Sequence, residues 1–299
     1  MLHPKLKAIE TSFNRSILTQ LFDPLLEQKQ IQLWVKRDDL IHPIISGNKW
    51  RKLKYILNHA LALQSHTIIS MGGAYSNHLH ALAYVGKHLK LKTIGYIRGE
   101  RPKKLSPTLN DLLHWGMELR FVSRSDYRDL RLFKVHDSLP GMQKGEYWLP
   151  EGGATALALK GVAEILSEIE LDFDLLTVPC GTGTTLAGLV EAKAVDNMIY
   201  GFSALKGGDF LIKDVNSLIK QNTPNWTVIV DYHFGGFAKS NNELKLFMQQ
   251  FFEQHAIALD PVYTAKMFYG LFDLIQQNKF KPGTKIVALH TGGLQGNRS

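Results

Sequence analysis

The chain has 299 residues, 44% of them hydrophobic and 21% charged, ordinary proportions for a soluble globular protein of one large or two modest domains. Its single cysteine, Cys180, excludes an intrachain disulfide framework and any multi-cysteine metal centre. The formal charge of +8 is dispersed rather than gathered into a nucleic-acid motif, no apolar run approaches the ~20 residues that span a bilayer, and Met1-Leu2-His3-Pro4-Lys5 opens no apolar signal core, so no nucleic acid, no membrane and a cytoplasmic location are expected.

Apolar, β-branched runs alternate along the chain with stretches of helical period, which predicts an α/β protein with parallel sheets and crossover helices. Ile31-Gln32-Leu33-Trp34-Val35 reads as the first strand. A charged run, Lys36-Arg37-Asp38-Asp39-Leu40, and a loop containing Pro43 lead to Ser46-Gly47-Asn48-Lys49-Trp50-Arg51-Lys52-Leu53, where Leu53, Ile56, Leu57, Ala60 and Leu61 set a helical stripe that Asn48 can cap. Strands are predicted at Thr67–Met71, Thr93–Ile97 and Leu119–Val122, with helices from Ser76 to about Leu89 and from Ser106 to Trp115. After a polar stretch punctuated by Pro140-Gly141 and Pro150 come a helix from Thr155 to about Ile169, a buried strand at Leu175–Pro179 and a helix from Thr184 through Lys193. Ile199–Phe202, Val228–Val230 and Ile286–Leu289 read as further strands, and 241–256 and 262–277 as amphipathic helices.

Four places stand out chemically. Lys49 falls in the first turn of its helix, where the positive end of the macrodipole lowers an amine's pKa and leaves a nucleophile suited to carbonyl carbon; the bland alternative is a solvated basic face of Lys49, Arg51, Lys52 and Lys54. Cys180-Gly181-Thr182-Gly183-Thr184-Thr185 follows a buried strand and opens a helix, so its amides and hydroxyls point at an anion. Leu186 and Leu189 stand where dinucleotide and nucleotide-triphosphate signatures need glycine and lysine, which leaves a single phosphate as the better fit. Gly72-Gly73-Ala74-Tyr75-Ser76-Asn77-His78 repeats the strand-to-helix design, with Ser76 as cap and amides open to a carboxylate; a plain cap with a satisfied histidine is the alternative. His78 and His80 make too weak a pair for a metal, and no metal is expected. Asp260-Pro261-Val262-Tyr263-Thr264 places proline in a first helical turn, and His290-Thr291-Gly292-Gly293 ends the last strand.

Val35-Lys36-Arg37-Asp38-Asp39-Leu40 followed by Gly47-Asn48-Lys49-x-Arg51-Lys52-Leu53 resembles the signature of the pyridoxal-phosphate enzymes related to tryptophan synthase β. Within them the chain is most similar to the 1-aminocyclopropane-1-carboxylate deaminase and D-cysteine desulfhydrase family. That resemblance implies pyridoxal 5'-phosphate as cofactor and two open, twisted, mostly parallel sheets flanked by helices. A smaller domain, 48–150, would be inserted into a larger one, 1–47 and 151–299, with the cofactor in the cleft between. It implies that Lys49 carries the cofactor, that Gly181, Thr182, Gly183, Thr184 and Thr185 hold its phosphate, that Asn77 meets the ring oxygen and that Thr291 meets the pyridine nitrogen. Arg51 and Lys52 would be structural or phosphate-side charges. Ser76 and Tyr263 would be catalytic, and Ser76, Asn77, His78 and Tyr263 would face a small amino-acid substrate. Thr264 matches the desulfhydrase branch, where the deaminase branch carries glutamate. The implied activity is β-elimination from D-cysteine to pyruvate, sulfide and ammonia, or ring opening of aminocyclopropane carboxylate. A β-replacement synthase or serine/threonine dehydratase on the same fold, and a non-catalytic binder of a phosphate-bearing metabolite, are the alternatives. A homodimer is expected by analogy.

Overall fold

The computed structural model describes residues 1–192, 197–220 and 224–298. Ten strands are present among these: β1 (Leu18–Leu21), β2 (Gln32–Lys36), β3 (Thr67–Gly72), β4 (Lys92–Arg98), β5 (Glu118–Val122), β6 (Glu146–Leu149), β7 (Leu175–Cys180), β8 (Met198–Ser203), β9 (Trp226–Ile229) and β10 (Lys285–Leu289). They form a six-stranded sheet in the order β1-β2-β10-β7-β8-β9 and a four-stranded sheet in the order β5-β4-β3-β6. Only the edge pair β1–β2 is antiparallel. This is the expected α/β class with two mostly parallel sheets.

Every residue of β3 and of β7 is buried, because helices cover both faces of each sheet. β10 lies between β2 and β7, pairing Ile286 with Leu33 on one side and with Leu175 on the other, so the last strand closes the sheet that the first strands begin. The strands of the four-stranded sheet all lie between β2 and β7 in the chain.

The Asn48–Ala62 helix packs Trp50, Leu53, Ile56 and Leu57 into the core of the four-stranded sheet, beside Leu79 and Leu82. The Ala156–Ser167 helix sends Leu159, Val162 and Ile165 into the core around β7. These two helices meet at Gly161, where a Cβ would overlap the Arg51 carbonyl oxygen. A glycine there lets the two helix backbones touch. No described helix is long and apolar enough to cross a membrane.

Several expectations need correction. Asn48 is the first residue of its helix, not the cap; Gly47 holds that position at φ +64°, and the Asn48 side chain turns away to Thr185. The last long helix begins at Thr264 (Thr264–Gln276), because Asp260, not Pro261, organises its start. The strands β1 and β6 and the Phe210–Leu218 helix fall outside the predicted elements. The Thr184–Ala192 helix matches its expected start, and Lys193 lies outside the described residues.

Candidate active site

Three loops converge on Lys49. Gly47 sits so close to the Thr291–Gly292 turn that a Cβ would overlap the Thr291 carbonyl, and the Asn48 N–H reaches that carbonyl oxygen at 3.4 Å. On the other side the Asn48 amide donates to Thr185 Oγ1 at 2.8 Å. The lysine helix is thereby pinned between the end of β10 and the glycine loop after β7. Lys49 is half-buried and its Nζ donates to Asn48 Oδ1. Burial lowers its pKa to about 8 against the opposing pull of the Asp260 carboxylate. That value leaves about a tenth of the amine free at pH 7, far more than an ordinary lysine offers.

The charges around it divide into two kinds. Arg51 is spent on structure: its guanidinium binds Asp38 at 3.1 and 3.2 Å and Glu168 at 2.6 Å, and Lys36 joins the same carboxylates' network through Glu168 at 2.9 Å. Lys52 is different. It is 5% exposed, yet it forms no ion pair or hydrogen bond with any described residue. Burial and the neighbouring Lys49 push its pKa well down, and only the Cys180 thiol side opposes them. A buried cation without a counter-charge is costly, so this amine is suited to an anionic partner.

The loop after β7 supplies groups for such an anion. Gly183 takes φ +69°, Thr182 and Thr184 share a hydroxyl–hydroxyl bond of 2.9 Å, and Thr184 opens the helix. Tyr263 lies against Gly181: a Cβ there would sit 2.9 Å from the Tyr263 ring. The glycine is therefore what admits the phenol to the loop. Tyr263 is held protonated by burial and by the carboxylates of Asp260 and Glu151, which raise its pKa. Cys180 is buried and its thiol is pushed up to about 12, so it packs and does not react.

The loop after β3 forms the opposite wall. Ser76 caps the Asn77–Leu89 helix by accepting from the Leu79 N–H at 3.2 Å, and its hydroxyl stands over Gly72, where a Cβ would come within 2.5 Å. Asn77 accepts from Gln295 and faces Gly293, whose absent side chain leaves room for the amide. His78 is not at the mouth of the site. It is 3% exposed, with Nε2 at 2.9 Å from Ser70 Oγ. Because that hydroxyl donates to the Leu149 carbonyl, the proton of the pair belongs to His78 Nε2, and Nδ1 is an acceptor with no partner among the described residues. Burial together with Lys49 and Lys52 lowers the His78 pKa to about 3, so the ring is neutral. His80 binds Asp111 at 3.0 Å instead of pairing with His78.

Asp260, which the motif reading passed over except as a helix-start residue, is 1% exposed and organises this end of the site. Its carboxylate accepts the N–H groups of Val262, Tyr263 and Thr264, each at 2.9 Å, and the Thr264 hydroxyl at 2.8 Å. Thr264 therefore spends its hydroxyl on the helix start. The Thr291 side chain is 6% exposed and has no side-chain hydrogen bond among the described residues.

A sequence profile described as "Pyridoxal-phosphate dependent enzyme" matches residues 18–292. The chain belongs to that family. A Pyrococcus horikoshii protein provisionally named 1-aminocyclopropane-1-carboxylate deaminase is 32% identical over 99% of this chain and 96% of its own length. The mitochondrial bifunctional D-cysteine desulfhydrase/1-aminocyclopropane-1-carboxylate deaminase of Arabidopsis thaliana is 31% identical over 89% of this chain and 73% of its own. A solved structure described as an ACC deaminase homologue superposes with a TM-score of 0.78 at 30% identity, covering 99% of this chain and 97% of that one. The resemblance drawn from the motifs is thus borne out, as is the fold class. The residues present fit the group that gives the pyridoxal-phosphate family its name. An amine of lowered pKa suits an aldehyde, and the partnerless Lys52 beside threonine hydroxyls and side-chain-free glycines suits a phosphate.

Proposed function

We propose that this chain is a pyridoxal-phosphate-dependent lyase or deaminase of small amino acids, with D-cysteine as its substrate and pyruvate, sulfide and ammonia as products. The observation that carries the reading is the placement of an amine of pKa about 8 where three loops of the two sheets meet. In this reading Lys49 carries the cofactor, residues 181–185 with Lys52 hold its phosphate, Asn77 meets its ring oxygen and Thr291 its ring nitrogen. When bound, the cofactor draws electrons from the carbon that bears the substrate amine.

The chain's own groups do the rest. Lys49, as a free amine, would be a base whose pKa lies close to working pH, which favours it over Tyr263 for taking the α-proton. Tyr263, kept protonated by its surroundings, is suited to donate to the departing sulfur. The Ser76 hydroxyl, already accepting the Leu79 N–H, keeps its own proton for the substrate carboxylate. A hydroxyl at Thr291 leaves the ring nitrogen without an ionic partner, and weak electron withdrawal suits loss of a good leaving group better than opening of an unactivated ring. The relatives' names include both D-cysteine desulfhydrase and aminocyclopropane carboxylate deaminase, which places both substrates in the test. Within this proposal 48–150 is the inserted smaller domain, 1–47 and 151–299 the larger, and the active form is a cytoplasmic homodimer.

Purified protein should be yellow, lose its colour with borohydride, and release sulfide and pyruvate from D-cysteine faster than ketobutyrate from aminocyclopropane carboxylate. Lys49→Ala should abolish both the borohydride reaction and turnover. Colourless protein that takes up no added cofactor would overturn the reading, and ketobutyrate release in excess would move it to the deaminase branch. Sedimentation of the loaded protein tests the dimer.

A further inference from the structure

Lys266 lies in the first turn of the Thr264–Gln276 helix and is 1% exposed. That is an adverse place for an ammonium, both for its burial and for the positive end of the helix. No carboxylate among the described residues pairs with it; Asp260, the acid that acts on it, has its oxygens committed to the helix start. Instead Nζ donates to three backbone carbonyls: Gly236 at 2.8 Å, His233 at 2.9 Å and Ala204 at 3.3 Å. Neutral carbonyl oxygens converging on one positive centre are what a desolvated monovalent cation takes.

The carbonyls come from two separate parts of the site's outer wall. Ala204 follows β8, and its N–H binds the Cys180 carbonyl at 3.0 Å, immediately before the glycine loop. His233 and Gly236 bracket a turn in which Gly235 and Gly236 take φ +91° and +114°. That turn presents Phe237, whose ring meets Tyr263 edge-on at 6.0 Å between centroids. Tyr263 precedes Lys266 by three residues, one turn along the chain. Without a cation at the centre, three carbonyl dipoles would face one another across the gap, and the Phe237 turn would have no anchor to Ala204.

We propose that the Lys266 ammonium is a built-in replacement for a bound monovalent cation, and that by filling this carbonyl cage it positions the Phe237 turn and the end of β8 against Tyr263 and the glycine loop. The inference rests on the chain's own backbone and does not depend on the choice of substrate. Removing the amine should leave a cage that accepts ammonium or potassium.

The test is thermal unfolding of the full chain, apo and cofactor-loaded, in chloride salts of choline, ammonium and potassium at equal ionic strength. Wild type should melt alike in all three. Lys266→Ala should melt several degrees lower in choline and recover in ammonium and potassium with a saturable dependence. Its affinity for added pyridoxal phosphate should fall about tenfold in choline and return in ammonium. Lys266→Met, which refills the space without charge, should be unresponsive to every salt. A Lys266→Ala protein as stable as wild type in choline, or one that is destabilised but indifferent to the cation, overturns the proposal. The melting arm needs no cofactor, so a failure there is distinct from a failure of the proposed function. Should neither variant fold, lysine-ammonium NMR of the wild type decides: a slowly exchanging, hydrogen-bonded ammonium supports the cage, and only fast-exchanging lysine signals overturn it.

Discussion

Two lysines three residues apart on one helix have opposite tasks, and each is open to a direct test. For Lys49 the reactive form is the free amine, which is absent well below its pKa and dominant above it. With the value lowered to about 8, attachment of pyridoxal phosphate to the apo chain should quicken as pH rises toward 8 and level off beyond it. Stopped-flow absorbance checks this, and an inflection near the ordinary lysine value of about 10.4 would contradict it. For Lys52 the argument runs through its missing partner. Lys52→Met removes a buried amine that has no partner among the described residues, so the apo chain should be no less stable and its melting point equal or higher. The same change should weaken pyridoxal phosphate by about tenfold or more while leaving unphosphorylated pyridoxal nearly unaffected, as equilibrium dialysis would measure. The position of Lys49 was legible in the sequence, because a glycine-asparagine step before a helical stripe fixes where a first turn begins. The division of labour between Arg51 and Lys52 was not: it depends on Asp38 and Glu168, the latter 117 residues away, reaching the Arg51 guanidinium and not the Lys52 amine.

At the level of elements, the site is held by contacts that tolerate little change. Arg51→Ala strips the buried Asp38 of its guanidinium and cuts the link from the lysine helix to Glu168, so a loss of about 3–5 kcal/mol in urea unfolding is expected. Gly161→Ala inserts a methyl group where the Arg51 carbonyl already lies; the two helices must separate, with a loss of about 1–3 kcal/mol and a weakened grip on the cofactor. Retained stability and affinity in Gly161→Ala would show that the helices are not in contact there. Central strands were legible because both faces are covered and the sequence is apolar throughout, as in β3 and β7. The four-residue strands β1 and β6 gave no such run: Leu18–Leu21 is a half-buried edge, and Glu146–Leu149 follows an irregular polar stretch. Lys266 left no signal either, since a lysine on an amphipathic helix reads as solvent-facing and its partners are main-chain carbonyls, which any residue possesses.

The whole molecule places its candidate ligands on both sheets. Lys49 and Asn77 belong to the stretch that builds the four-stranded sheet, whereas residues 181–185 and Thr291 belong to the six-stranded one. Alternation of strand and helix announced two such layers, but the seating of β10 between β2 and β7 joins residues more than 250 apart by backbone pairing, and periodicity carries no trace of it. A molecule gripped from both sides should tie the unfolding of one sheet to that of the other. Trp148, fully buried on β6, and Trp34, on β2, report separately on the two. In chains retaining only one of these tryptophans, with the others replaced by phenylalanine, the two fluorescence midpoints should coincide when cofactor is bound. A cofactor present at a hundredfold its Kd adds about 2.7 kcal/mol to the folded state, which for a chain of this size raises Tm by roughly 4 °C. Without cofactor the midpoints should fall and part, because the direct contacts, among them the helix pair around Gly161, the Arg51 network and the Asn48 and Asn77 hydrogen bonds, are then left to couple the sheets alone. Coincident midpoints in both states would mean that this protein contact alone suffices, and a cofactor that shifts only the Trp34 transition would mean that the lysine side of the grip is not made.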